Sequence, residues 1–207
     1  MKEMMHIACG LLIWFALSSC GSANATEEKE QTEKTEQTRQ EELNAVATDS
    51  ATFYSEVVNP KNCFIVISKP EYRLYVCEVV DGDTVKRMHY PVCVGQARGQ
   101  KQKEGDMKTP ESSYEHPFVI TEIKDSSGWT HDFGDGRGSI LSYGHWFMRL
   151  KTPGFSGIGI HGSTNNESSV PGRGSEGCIR LRDDDLIQLK EKYAFVGMRV
   201  VILPDEE

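Results

Sequence analysis

From Pro60 onward, short apolar runs alternate with polar and glycine-containing breaks, the texture of strands joined by turns. CFIVIS (Cys63–Ser68) reads as an apolar strand. Tyr72–Val80 alternates, with Leu74 and Val76 on one face and Tyr75, Cys77 and Val79 on the other. Asp81-Gly82-Asp83 is a hairpin signal, because such a turn needs positive-φ residues. The return strand is Val85–Gly95, and Pro91 inside it predicts an edge position or a bulge. A polar loop covers residues 96–109, and strands resume over 118–123, 140–150 and 157–162. One helix is predicted near the end: Asp183–Asp185 supply an N-cap and first-turn negative charge, Leu186, Leu189 and Tyr193 share a face, and Gly197 stops it. RVVIL (Arg199–Leu203) is a final strand, and there is no internal repeat. The expected fold is mostly β, a sandwich or open barrel with one short C-terminal helix.

The first sixty residues follow other rules. Ile7–Leu17 is apolar but too short for a comfortable membrane span, and with Lys2 before it the segment 1–20 reads as an export signal. Leu17-Ser18-Ser19-Cys20 resembles a bacterial lipobox, which makes Cys20 the expected lipidation site and a membrane partner of the mature chain. An ordinary cleavage near Ala23-Asn24-Ala25 is the alternative. Residues 21–59 read as an acidic tether: Thr26–Asn44 carries seven Glu against two Lys and one Arg, a net charge of −4, and almost nothing apolar. A flexible coil of about 40 residues has a mean reach of roughly 35 Å. Residues 60–207 remain as one domain, and the sequence leaves its oligomeric state open.

The 207-residue chain carries a formal charge of −8, half of it in that tether, which argues against a nucleic-acid partner. Outside the leader, the cysteines are Cys63, Cys77, Cys93 and Cys178. The first three lie among apolar strand residues, where cysteine behaves as a small hydrophobe; a Cys77–Cys93 disulfide across the hairpin is off register. No C-x-x-C or H-x₃-H spacing points to a metal, and no cofactor is implied.

Cys178 has different surroundings. Gly177 permits a tight bend and close approach of a substrate to the backbone. His161 ends a glycine-rich apolar run, with Gly162 after it, and a polar loop of Gly, Ser and Asn residues leads from there to Cys178. A cysteine nucleophile needs a base within reach, since the thiolate is the reactive form. Spacing alone leaves open whether the two side chains meet.

The stretch IHGSTNNESSVPGRGSEGCIRLRDDDL resembles the catalytic signature of the L,D-transpeptidase (YkuD-type) family: His-Gly, a gap, then Ser/Thr-x-Gly-Cys-aliphatic-Arg. FIVISKPEYRLYVCE, VGQARGQKQKEGDMKTPESSYEHPFVI and YGHWFMRLKTPGFSGIGIHG resemble companion segments of that family in the same order, so the likeness covers about residues 62–203. Glu176 stands where many members have His, Glu111-Ser112 where Glu-Gly is typical, and His145 where Pro is common.

The resemblance implies acyl transfer on peptidoglycan stem peptides. Cys178 would attack the carbonyl between a diamino acid and a terminal D-Ala; His161 would take the thiol proton, or stand as an imidazolium beside a thiolate, and then protonate the leaving amine, with the Gly162 carbonyl orienting the imidazole. Backbone N–H groups around Gly177-Cys178 would form the oxyanion hole, and Ser175 would shape that turn. Arg180 is expected either to bind a stem carboxylate or to pair with Asp183 or Asp184. Tyr143 and Trp146 are expected to wall the cleft or to belong to the core. His89, His116 and His131 read as surface or strand-end residues, and the sequence names no partner for them. Rival readings are an L,D-carboxypeptidase that uses water as acceptor, a non-catalytic wall-binding scaffold, and a thiol-redox or metal-carrying lipoprotein.

Overall fold

The computed structural model describes residues 59–205. The expected signal, the expected Cys20 lipidation site and the expected tether up to residue 58 lie outside the described residues. Asn59 caps a short 3₁₀ turn at Pro60–Asn62, and its side chain accepts the Lys61 N–H at 3.0 Å.

Among the described residues, twelve strands, one α-helix and a second 3₁₀ turn at Glu167–Ser169 follow. β1 (Cys63–Ser68), β2 (Arg73–Val80), β3 (Asp83–Pro91) and β4 (Cys93–Gly95) come first. β5 (Phe118–Asp125), β6 (Thr130–Asp132), β7 (Ser139–Leu141) and β8 (Trp146–Lys151) form the middle. β9 (Gly159–His161), β10 (Gly172–Ser175), β11 (Ile179–Arg180), helix α1 (Asp183–Lys192) and β12 (Arg199–Leu203) complete the domain. Ten strands make one sheet in the order β10-β4-β11-β9-β8-β5-β12-β1-β2-β3, and β6 and β7 form a separate hairpin.

The alternation in β2 sorts its side chains as expected. Leu74 and Val76 enter a large core, which also takes Val92 and Val94 from the far end of the sheet and Leu186 and Leu189 from α1. One cluster fed from both ends of a ten-stranded sheet requires the sheet to curl around it. Tyr75 and Cys77 face the other way and form a smaller cluster with Phe64, Val66 and Val201. Pro91 ends β3, an edge strand, where no neighbour needs its missing N–H. The hairpin turn is tighter than expected: Val80 pairs with Asp83, and only Asp81 and Gly82, at φ 52° and 92°, lie between them.

Other expectations are corrected. The segment 140–150 is two strands, split by the stretch that carries Tyr143 and Gly144. Arg182, not an aspartate, holds the N-cap of α1, and no side chain caps it; Asp183–Asp185 form the first turn, where their charge suits the helix dipole. The helix ends at Lys192, and Gly197 instead turns the chain into β12, donating its N–H to Ile120 O at 2.8 Å. Cys63, Cys77, Cys93 and Cys178 are free thiols. Cys77 pairs with Lys86 on β3, whereas Cys93 lies across the sheet beside β10 and β11.

Candidate active site

β9 and β11 run parallel, with Ile179 opposite Ile160 and Arg180 opposite His161. That register sets Cys178 beside Gly159, in the lining of a cavity of about 230 Å³ that His161, Arg180, Tyr143, Glu176 and Lys101 also line. His161 and Cys178 therefore share one cavity although 16 residues separate them in sequence.

His161 is 4% exposed, and its ring lies between Phe147, stacked at 5.7 Å, and Tyr143 at 4.8 Å. Nδ1–H donates to the Gly162 carbonyl at 2.7 Å, which leaves Nε2 as the proton-accepting nitrogen. Gly162 is required by close packing: a Cβ there would overlap Asp183 Oδ1 and lie 2.7 Å from Gly144 Cα. Burial, reinforced by the Arg180 guanidinium, pushes the imidazole pKa down to about 3.

Cys178 is partly exposed to the cavity, and its thiol donates to Gly157 O at 3.4 Å. Burial raises its pKa; the Gly159 N–H, Arg180 and Lys101 oppose that rise, and Glu176 adds to it. Both shifts favour the uncharged forms, a thiol and a neutral imidazole.

Ser175 organises the turn, donating to Cys178 O at 2.5 Å and accepting the Gly177 N–H at 3.1 Å. That bond engages the Gly177 amide. Gly177 has φ 134°, and a Cβ on it would meet Lys108 O at 2.7 Å.

Arg180 does not pair with Asp183. The Asp183 carboxylate accepts the Ser163 N–H at 2.8 Å and the Thr164 hydroxyl. Arg180 is 4% exposed, donates to Gly174 O at 3.1 Å, lies 5.1 Å from the Phe133 ring centroid, and leaves Nε without a partner. Tyr143 lines the cavity. Trp146 does not; its ring sits under Lys190 Nζ at 4.4 Å and packs on the core.

Several cavity residues were missed. His131, for which the sequence names no partner, lies 3.2 Å from Glu176 and packs edge-on against Phe133 at 4.6 Å. Lys101 and Glu104 reach the cavity from the polar loop, where no periodicity or motif marked them. Among the described residues there is no cluster of His, Cys, Asp or Glu suited to a metal.

A family model described as the L,D-transpeptidase catalytic domain matches residues 63–202, more than half of the chain. No curated protein matches. Among solved structures, the chain is similar to Bd1075 from Bdellovibrio bacteriovorus, with 20% identity over 73% of this chain and 51% of that one and a TM-score of 0.50. It is also similar to the Ldtfm–avibactam carbamoyl enzyme, at 15% identity over 70% and 50% of the two chains, TM-score 0.50. An L,D-transpeptidase from Mycobacterium smegmatis matches at 18% identity over 68% and 58%, TM-score 0.46. The chain spans about half the length of the first of these structures, and the likeness is one of fold.

Proposed function

The chain belongs to the L,D-transpeptidase catalytic domain family, and we propose on that basis that it is a cysteine-dependent acyltransferase acting on peptidoglycan stem peptides. The observation that carries this reading is the shared cavity of Cys178 and a neutral His161, whose Nδ1–H is fixed on the Gly162 carbonyl so that Nε2 accepts a proton.

Cys178 Sγ attacks the carbonyl joining the diamino acid to the terminal D-Ala of a tetrapeptide stem, and its proton passes to His161 Nε2. The tetrahedral oxyanion is held by the Cys178 N–H, since Ser175 occupies that of Gly177. The C–N bond then breaks, His161 protonates the departing D-Ala amine, and a Cys178 thioester remains. An acceptor amine attacks the thioester, gives a proton to His161 as the new amide forms, and the thiol is regenerated. Arg180, a buried guanidinium with an unpartnered Nε in the cavity lining, binds a stem carboxylate. The amine can belong to another stem, giving a 3→3 cross-link, to a free D-amino acid, or to an anchored protein.

The export signal, Cys20 lipid and acidic tether belong to the same proposal: they hold the domain in the periplasm, on a membrane and within reach of the wall. Incubation with a tetrapeptide-stem muropeptide and a labelled D-amino acid tests the chemistry. Exchange of D-Ala for the label is expected, with a loss of about 10²–10⁴-fold in His161→Gln. Release of tripeptide alone identifies a carboxypeptidase, and no turnover by the folded protein identifies a scaffold.

A further inference from the structure

The loop over residues 96–109 is fastened to the nucleophile turn. Gln96 N–H donates to Ser175 O at 3.0 Å, Ala97 N–H to Met107 O at 3.0 Å, and Gly95 N–H to Thr109 Oγ1 at 2.8 Å. Out of this loop comes Lys101, whose side chain is only 3% exposed. Its Nζ donates to Asp106 Oδ1 at 2.8 Å and lies 5.7 Å from the Phe155 ring centroid. Asp106 is itself fixed, accepting the N–H groups of Gln102, Lys103 and Lys108. The ammonium points at the nucleophile turn: a Cβ on Gly177 would sit 3.6 Å from Nζ. A side chain at 177 would fill that space, so the glycine lets the cation approach the backbone next to Cys178.

We propose that Lys101, clamped by Asp106 behind the Gly177–Cys178 turn, is an electrostatic residue of this site that stabilises the negative charge formed there, first on the thiolate and then on the acyl-transfer oxyanion. A buried ion pair is a dipole, and its orientation decides its effect. Here the ammonium end faces the turn and favours the Cys178 thiolate. The other charged or titratable groups around the thiol are Arg180 on β11, Glu176 in the turn, His161 on β9, His131 on β6, Tyr143 ahead of β8 and Glu104 in the loop. Lys101 is the cation among them that approaches from the Gly177 side. Its contribution deepens the reading of Cys178 as nucleophile.

The test needs no donor peptide, so its failure is distinct from a failed transpeptidation assay. Iodoacetamide alkylation of Cys178 in the full-length protein is followed against pH by peptide-resolved mass spectrometry. In Lys101→Met, alkylation below pH 9 slows roughly threefold to tenfold and the alkylation midpoint moves to higher pH, whereas Lys101→Arg keeps the wild-type profile. Asp106→Asn strips the ammonium of its counter-charge and moves the midpoint to lower pH. Opposite shifts in the Met and Asn variants are the expected signature, since loop disruption alone moves both in one direction. An unchanged profile in Lys101→Met, or shifts of the same sign in the two variants, overturns the proposal.

Discussion

His161 and Cys178 face one cavity as two uncharged groups, because burial acts on a base and an acid in opposite senses. It depresses the imidazole to about 3 and raises the thiol. His161 therefore stays neutral far below the usual histidine range, and acylation measured as kcat/KM keeps its rate from pH 7 to pH 5. An ordinary histidine titrating near 6.5 would lose about 25-fold over that interval. An acid-side fall centred near 6.5 in the pH profile would remove the neutral-base account. Stability carries the matching sign. Between about 3 and 6.5 the unfolded chain binds a proton at this position that the folded chain refuses, so the unfolding temperature falls as pH drops through that window. His161→Gln flattens this part of the dependence.

β9 and β11 bring the pair together, and the segments around them fix its geometry. Gly177→Ala sets a Cβ at φ 134° against the Lys108 carbonyl, which drives the loop away from the turn. Acylation should fall at least tenfold in this variant while far-UV circular dichroism stays native; wild-type acylation would show that the close approach is dispensable. At the other end of the sheet, Arg87 and Glu78 form a buried ion pair at 2.9 Å across the β2–β3 hairpin. Arg87→Met leaves the Glu78 carboxylate buried without its guanidinium, a loss of about 3–5 kcal/mol in denaturant unfolding. Much of this was legible in the sequence. Long alternating strands such as β2, and the His161/Gly177-Cys178 signature, declare themselves through periodicity and motif. The short strands do not: Thr130–Asp132, Gly172–Ser175 and Ile179–Arg180 are too brief or too polar to show a period, and only pairing with distant partners makes them strands. Lys101 and His131 were hidden for a related reason. They sit in polar stretches, and tertiary closure alone turns them toward the cavity.

The domain over residues 59–205 holds its own core, closed by α1, and its C-terminal end is tied back to the site-bearing loop. Asp205 accepts the Gly99 N–H at 2.7 Å and pairs with Lys69 at 3.3 Å and with Arg173. Burial would raise this carboxyl, but the Gly99 N–H, Lys69 and Arg173 outweigh it and hold it below the usual range. Asp205→Asn should lower stability by about 1–3 kcal/mol at neutral pH, and the deficit should vanish as the wild-type carboxylate protonates at acid pH. In the proposed function the acidic tether and lipid supply reach and location, and the cavity of this domain supplies the acyl transfer. The most direct measurement of that central claim is intact-protein mass spectrometry of the full chain after mixing with a tetrapeptide-stem muropeptide. The expected result is a mass increase equal to the stem acyl group without its terminal D-Ala, carried on Cys178 and absent in Cys178→Ala. A folded, reduced protein that gains no such mass, and releases no D-Ala, would contradict it.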